Sequence, residues 1–178
     1  MIQIRRATVE DSAGLARVQV DSYRTAYSGI LPEGYLANFS YEEQEQDWRE
    51  WQPAHPDDIL YVAVDDGDEV VGYALGRPLV SGTGPYDSEL VALHVRGLLR
   101  RQGIGRQLVG AIAGALRERG CTSLMLWVLE GNPSRAFYEQ LEGRLAGKQT
   151  ITLDEGVTAV EVAYGWADIG RLCGLGTG

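Results

Sequence analysis

The apolar positions of the chain follow two periods, which divide it into strands and helices. Short runs that alternate or are continuously apolar predict seven strands. These strands are expected at 1–7, 59–64, 69–80, 88–95, 122–130, 144–153 and 157–166. Apolar positions at helical spacing predict helices instead. These helices are expected at 8–27, 40–52, 103–120 and 132–143.

Residues that start and stop secondary structure support these assignments. Ser40 and Glu43 form a capping-box pair at the start of the second helix, and Pro53 is expected to end it. The sequence DDGD at 65–68 is a hairpin turn signal. The stretch SGILPEGY at 28–35 predicts a break between the first two helices.

The order of the elements predicts the fold class. It runs βααββ, then βαβα, then ββ, which indicates one mixed α/β domain. The helix at 103–120 is expected to make a right-handed crossover between two parallel strands. Gly110 and Gly114 would let that helix lie close to the sheet. We assign 1–167 to the domain and expect 168–178 to be a mobile tail.

Composition and charge narrow the class of protein. The chain has 178 residues, 44% of them hydrophobic, and a formal net charge of −9. An acidic chain is a poor partner for nucleic acid, and no apolar run reaches the roughly 20 residues that cross a bilayer. The charged N-terminus MIQIRRATVEDS is unlike a signal peptide, so a cytoplasmic location is expected. Two cysteines and two histidines make a metal site improbable.

Positive charge is gathered in one window of this acidic chain. No Asp or Glu occurs from Leu90 to Arg117. The window instead contains five arginines, Arg96, Arg100, Arg101, Arg106 and Arg117. A local basic site in an acidic protein suits a small anionic ligand better than a polymer.

Gly103 and Gly105 mark the start of a helix at this basic window. The first N–H groups of a helix have no internal partner, and glycine lets an anion approach them closely. A P-loop would need Lys and Ser/Thr after its second glycine, and a dinucleotide fold would need a third glycine; both are absent. The pyrophosphate of coenzyme A and simple close packing of the helix start both stay open.

The residues around this glycine pair resemble the acetyl-CoA motif of the GNAT-type N-acetyltransferase superfamily, Arg/Gln-x-x-Gly-x-Gly/Ala. Here the motif reads Arg100-Arg101-Gln102-Gly103-Ile104-Gly105. ELVALHV at 89–95 resembles the family's fourth strand, and NPSRAFYEQLEG at 132–143 resembles its later Asn…Ala-x-x-Phe-Tyr-Glu-x-x-Gly segment. The order of elements matches from about residue 2 to 167. Gly97 departs from the pattern, since proline is common there, and so does LEGRL, where the family carries Gly-Phe.

The resemblance implies a fold and an activity. The fold is a mostly antiparallel seven-stranded sheet, splayed between its fourth and fifth strands and flanked by about four helices. The activity is transfer of acetyl from acetyl-CoA to a primary amine, which attacks directly in a ternary complex without a metal. An acetyl-CoA-binding regulatory protein that has lost turnover is the alternative on this fold, and an interaction module is a further one.

The resemblance also implies the residues that hold the cofactor. The pyrophosphate would lie on the main chain and arginines of Arg100, Arg101, Gln102, Gly103, Ile104, Gly105 and Arg106. Main-chain groups of Leu93 and Val95, with His94 between them, would pair with the pantetheine arm like an added strand. Asn132 would touch the cofactor, although capping of the next helix alone explains its presence.

Tyr138 and Glu89 are the candidate catalytic residues. By resemblance, the phenol of Tyr138 donates a proton to the leaving thiolate; the alternative is a core aromatic beside Phe137. Glu89 would accept the proton of the amine, directly or through a water; the alternative is an exposed glutamate at a strand start. His94 is the rival base, because its ordinary pKa suits the task.

The acceptor pocket is expected around DSYRTAYSGILPEGYL at 21–36. Tyr23, Tyr27, Tyr35 and Trp48 would form its wall, and core packing explains them equally well. The acceptor is expected to be a small-molecule or peptide amine, and acids such as those in EEQEQD at 42–47 would attract a cation. The alternative is that the acids at 42–47 are only the solvated face of a helix. A monomer or a homodimer is expected.

Overall fold

A computed structural model describes residues 1–81, 84–154 and 156–175 of the chain. These residues form seven strands and five α-helices. The strands are β1 Gln3–Arg6, β2 Ile59–Val64, β3 Val70–Pro78, β4 Ser88–Val95, β5 Leu124–Leu129, β6 Arg144–Asp154 and β7 Val157–Trp166. The helices are α1 Ser12–Ala26, α2 Glu33–Ala37, α3 Tyr41–Ala54, α4 Ile104–Glu118 and α5 Arg135–Gln140.

All seven strands belong to one sheet, in the order β1-β2-β3-β4-β5-β7-β6. Neighbouring strands are antiparallel except β4 and β5, which are parallel and are connected through α4. In the described chain β4 and β5 pair only at Glu89 and Met125. The mixed, mostly antiparallel seven-stranded sheet and its parting between the fourth and fifth strands are therefore confirmed.

Helices cover both faces of the sheet. On one face α1 and α3 enclose a core that includes Leu15, Trp48 and Tyr73. On the other face the apolar stripe of α4 packs against β2, β3 and β4, and its Leu108 belongs to the same buried core as Leu126 of β5. None of the helices in the described part of the chain combines the length and apolar character needed to cross a bilayer.

The sequence prediction missed one short helix and ended another too early. The predicted break at 28–35 ends in the short helix α2, because Leu36 is buried in a cluster with Leu31 and Leu129. Helix α3 also continues through Pro53 to Ala54. A proline in the last turn removes one main-chain hydrogen bond near an end that already has unpaired carbonyls, so its cost is small there.

Packing continues beyond the predicted domain boundary at residue 167. A short 3-10 helix covers Ile169–Arg171, and Ile169 and Leu172 are 2% and 1% exposed. The Ile169 N–H donates to the Thr122 carbonyl at 2.8 Å. The described part of the predicted tail is thus held in the core, and residues 176–178 lie outside the described chain.

The two glycines of α4 do not make the close contact with the sheet that the sequence predicts. A Cβ atom at Gly110 would lie 2.5 Å from the Leu175 carbonyl oxygen, so this glycine faces the C-terminal segment. A Cβ atom at Gly114 would meet no atom within 4 Å. Gly110 is therefore required by the packing of the segment after β7, and Gly114 is not.

Replacement of these glycines by alanine should have opposite effects on stability. Gly110→Ala should lower the free energy of unfolding by about 1–3 kcal/mol, because its methyl group overlaps the Leu175 backbone. Gly114→Ala, the matched control, should raise it by roughly 0.5–1 kcal/mol through helix propensity alone. Urea denaturation of both variants measures the difference, and equal effects would contradict docking of the segment on α4.

Candidate active site

A cleft of about 650 Å³ occupies the gap between β4 and β5. Its walls come from both faces of the sheet. Leu93 and Val95 pack with the α4 side, whereas His94 contacts Tyr23 of α1 on the other side. All four residues line the cleft. The cleft is therefore lined by residues from both faces of the sheet, and its volume is in the range of small-molecule sites.

The main chain of β4 has no partner strand along the gap, although the Val95 carbonyl accepts a hydrogen bond from Arg100 Nε at 3.4 Å. The Arg96 N–H donates to the Val71 carbonyl of β3 at 2.9 Å. Main-chain groups alternate in direction along a strand, so those of His94 also face β3. The N–H and C=O groups of Leu93 and Val95 consequently point toward β5, from which the strand has separated. They can accept an extended ligand in place of the missing strand.

The loop before α4 presents a row of free N–H groups at one end of the cleft. Arg101 and Gly103 have left-handed backbones, with φ of 64° and 84°. The N–H of Gln107 donates to the Gly103 carbonyl at 3.0 Å. In the described chain the six preceding main-chain N–H groups, those of 101–106, make no hydrogen bond to protein. Such a row at a helix N-terminus binds anions.

The predicted phosphate-binding residues divide into those that face the cleft and those that do not. Arg100, Arg101, Gly103, Gly105 and Arg106 line it. Their three guanidinium groups surround the row of N–H groups with positive charge.

Two members of the motif turn their side chains elsewhere. Ile104 is 2% exposed and belongs to the core under α4. The Gln102 amide donates to the Leu98 carbonyl at 3.4 Å and does not line the cleft. The structure thus offers only the main chain of these two residues to an anion.

Asn132 lies in the cleft wall, two residues before Ser134, the residue that precedes α5. Its side-chain oxygen accepts a hydrogen bond from the Ser134 N–H at 2.8 Å. The Arg135 N–H also donates to the Asn132 carbonyl, whereas Ser134 has a helical backbone and its side chain caps nothing. Asn132 therefore caps the turn that leads into α5. Asn132 is 7% exposed, and the side-chain nitrogen is the group left for a ligand.

Tyr138 projects from α5 into the same cleft. It is 7% exposed, and burial raises the pKa of its phenol to about 12. Its hydroxyl makes no hydrogen bond to any other described residue. The phenol therefore stays protonated at neutral pH, with its proton available to a ligand.

Helix α5 is held by a polar network behind Tyr138. The Tyr164 hydroxyl donates to the Glu139 carboxylate and accepts from Arg135 Nε at 3.1 Å. Arg135 also donates to the Glu130 carbonyl at 2.9 Å. Because Tyr164 is buried on β7, these bonds fix the helix that carries Tyr138 to the sheet.

Glu89 is not brought into the cleft. It stands at the closed end of the gap, where β4 and β5 still pair. Its carboxylate accepts two hydrogen bonds from Arg77 of β3, at 3.0 and 2.8 Å. It is absent from the cleft walls. Glu89 therefore lies outside the cleft walls with its carboxylate bound to Arg77.

His94 does face the cleft, on the side of α1. Its ring lies 5.6 Å from that of Tyr23 and 5.2 Å from that of Tyr73. Burial, and secondarily the charge of Arg100, lowers the pKa of His94 to about 4. The imidazole is therefore neutral at physiological pH and can accept a proton or a hydrogen bond.

The predicted acceptor pocket is assembled only in part. Tyr23 and Tyr27 line the cleft with their rings 4.9 Å apart, edge to face. Tyr35 lies behind them, packed on Phe39 at 5.5 Å. Trp48 is 8% exposed and belongs to the core beneath α3.

Glu161 and Trp127 are two of the cleft residues that the sequence analysis did not predict. Both lie in strands that the sequence predicts from alternating apolar residues. That alternation does not show which face of a strand lines a cleft. The acids of α3 predicted to attract a cation, Glu42, Glu43 and Glu45, do not line the cleft. In the described chain no three Asp, Glu, His or Cys side chains are grouped as a metal site.

The burial of His94 predicts a loss of stability in acid. The unfolded chain binds a proton at the ordinary pKa of 6.5, but the folded chain does so only near 4. The stability that neutral His94 contributes is thus fully present above pH 6.5 and is lost as the pH falls toward 4. Between about pH 7 and pH 5 this contributes a loss of about 2 kcal/mol.

His94→Gln should remove that contribution. Urea denaturation at both pH values should show that the free energy of unfolding falls less between pH 7 and pH 5 in the variant than in the wild type. The same replacement at His55, on the end of α3, controls for removal of an imidazole in general. An unchanged acid loss in His94→Gln would contradict a neutral buried His94.

The sequence matches the model of the Acetyltransferase (GNAT) family over residues 22–143. It is 35% identical over 172 residues to the uncharacterized N-acetyltransferase YuaI of Bacillus subtilis strain 168, covering 97% of this chain and 96% of that protein.

Solved structures are similar over most of the chain as well. One is a ribosomal-protein-alanine N-acetyltransferase of Brucella melitensis, with a TM-score of 0.71, 25% identity and coverage of 92% of this chain and 98% of that one. Another is the PaiA N-acetyltransferase of Thermoplasma acidophilum in complex with coenzyme A, with a TM-score of 0.65, 20% identity and coverage of 90% and 98%. The motif, the parted sheet and these matches together show that the chain belongs to the GNAT family of acetyltransferases.

Proposed function

We propose that this acetyltransferase moves an acetyl group from acetyl-CoA to a primary amine, and that the two substrates meet in the gap between β4 and β5. The observation that carries the proposal is the row of free N–H groups at 101–106, at the end of a cleft that opens on both faces of the sheet. A cofactor with a pyrophosphate can occupy one opening while an acceptor uses the other.

The residues present fit coenzyme A. The N–H groups of 101–106 and the side chains of Arg100, Arg101 and Arg106 would hold the pyrophosphate. The main chains of Leu93 and Val95 would hydrogen-bond the amides of the pantetheine arm, since they face the gap. The PaiA protein of similar fold is a complex with coenzyme A, which supports coenzyme A as the cofactor.

Tyr138 would assist departure of the thiol. Acetyl-CoA supplies an activated acetyl group and a thiolate leaving group. A phenol with a pKa of about 12 is fully protonated at neutral pH and can donate a hydrogen bond to sulfur as negative charge develops there. Tyr138 is 7% exposed and lines the cleft, so its hydroxyl is accessible to a ligand there.

His94 is placed ahead of Glu89 as the proton acceptor. The imidazole of His94 lines the cleft and is neutral, whereas the Glu89 carboxylate is bound to Arg77 at the closed end of the gap. An amine nitrogen becomes acidic as it bonds to a carbonyl carbon, so a weak base within reach can accept its proton. The proton can then leave through the opening of the cleft.

Gly105→Asp should weaken binding of acetyl-CoA by at least about tenfold, because it places a negative charge beside the pyrophosphate site. Gly105→Ala is the matched control. Its Cβ would lie 3.4 Å from Phe137 Cζ, a contact that leaves the fold intact. Calorimetric titration of both variants separates charge from bulk. An affinity in Gly105→Asp equal to that of the control would place the cofactor elsewhere.

Tyr138→Phe should lower kcat roughly a hundredfold and leave the affinity for acetyl-CoA unchanged, if its hydroxyl assists the leaving thiol. The variant keeps the ring and its packing, and so should remain folded. Release of free thiol with a panel of primary amines measures turnover. A rate within about twofold of the wild type would make Tyr138 only a core aromatic.

A further inference from the structure

The cleft has one acid whose purpose the transfer chemistry does not explain. Among the described residues that line it, Glu161 is the only Asp or Glu. It lies on β7 and pairs with Leu129, the last residue of β5. The single β4–β5 pair lies four positions earlier on β5, at Met125. Glu161 is thus near the wide end of the gap.

Alternation along β7 places Glu161 on the acceptor side of the sheet. Val162 and Tyr164 pack with the α4 side. Ala159 belongs to the opposite cluster, together with Tyr23 and Tyr27 of α1. Because side chains two positions apart share a face, Glu161 faces the same side as Ala159 and these two tyrosines.

The Glu161 carboxylate has spare hydrogen-bonding capacity. One of its oxygens accepts from the Gln149 side chain of β6 at 3.1 Å. No ion pair to Glu161 occurs within the described chain. Lys148, beside Gln149 on β6, pairs instead with Glu130 at 2.7 Å. The carboxylate therefore carries an uncompensated negative charge at the cleft wall.

The surroundings of this charge suit a cation. Tyr23 and Tyr27 present aromatic rings to the cleft, and aromatic faces attract cations. Burial first, and then neighbouring groups that include Glu161, raises the pKa of both phenols. The tyrosines are therefore neutral, and Glu161 provides the negative charge on the acceptor side.

Glu161 lies away from the point of transfer. Tyr138 packs in the core cluster on the α4 side of the sheet, together with Val162 and Tyr164 of β7. Glu161 shares the opposite face of β7 with Ala159, which packs near Tyr27. A carboxylate on the attacking nitrogen would in any case favour the protonated amine, which cannot attack.

We propose that Glu161 binds a second, non-reacting cationic group of the acceptor, against the rings of Tyr23 and Tyr27. The acceptor class is then a primary amine that carries another positive charge at its far end. This inference rests on the proposed acetyl transfer, because it assigns the part of the acceptor that the transfer does not use. It makes Glu161 a residue that determines specificity, and it involves no proton transfer.

Binding of matched probes tests the charge at Glu161. A series of α,ω-diamines is titrated by calorimetry into protein saturated with coenzyme A, each against the amino alcohol and the ω-amino acid of the same chain length. The wild type should bind the best diamine at least about tenfold more tightly than its amino alcohol, as expected for one charge-assisted contact. The amino acid should bind most weakly.

Variants assign the preference to one carboxylate. Glu161→Gln should abolish the advantage of the diamine and leave the amino alcohol unchanged, and Glu161→Lys should favour the amino acid. Glu42→Gln, which removes the same charge from the exposed face of α3, should retain the preference. The inference is overturned if no diamine exceeds its amino alcohol, or if the advantage survives in Glu161→Gln.

Turnover with the same probes separates the two proposals. Acetylation of diamines and amino alcohols without a charge preference would overturn the role of Glu161 and leave the transfer intact. A charge preference in binding that depends on Glu161, without acetylation of any probe, would support the cation site and count against the proposed transfer.

Discussion

The parting of β4 from β5 is the constraint on which the rest of the site depends. Two parallel strands that pair at one residue and then separate leave main-chain N–H and C=O groups without partners. Buried groups of that kind are costly unless something else satisfies them. In this fold the main chain of Leu93 and the N–H of Val95 are directed into the gap, where the proposed pantetheine arm would complete the sheet.

The connection through α4 holds β4 and β5 in this parted arrangement. The helix leaves the end of β4, packs on β2, β3 and β4, and returns the chain to the start of β5. Its N-terminus therefore lies at the open end of the gap, where its free N–H groups and arginines face the cleft. One crossover thus supplies the parallel pair, the anion site and the cover over the core.

Charge is divided along the cleft in a way that gives each opening its own ligand. Arg100, Arg101 and Arg106 make the α4 end positive, whereas Glu161 is the acid on the α1 side. Between them lie Tyr138 and His94, both neutral at physiological pH because burial disfavours their charged forms. The proposed reacting centre is hence an uncharged region between two charged ones.

Features that depend on residues near each other in the chain were determined by the sequence alone. The seven strands, the four longer helices and the glycine motif at 100–105 follow from periodicity and local spacing, and they led to the correct family. Only the tertiary structure decided which side chains meet. Glu89 and Glu161 are both glutamates in strands, but Arg77 binds the first at the closed end of the gap and the second faces the cleft. Ile169 and Leu172 likewise became core residues through distant contacts. The physical reason is that a strand's pattern specifies two faces, whereas the neighbours of each face are set by strand order and by the parting of the sheet.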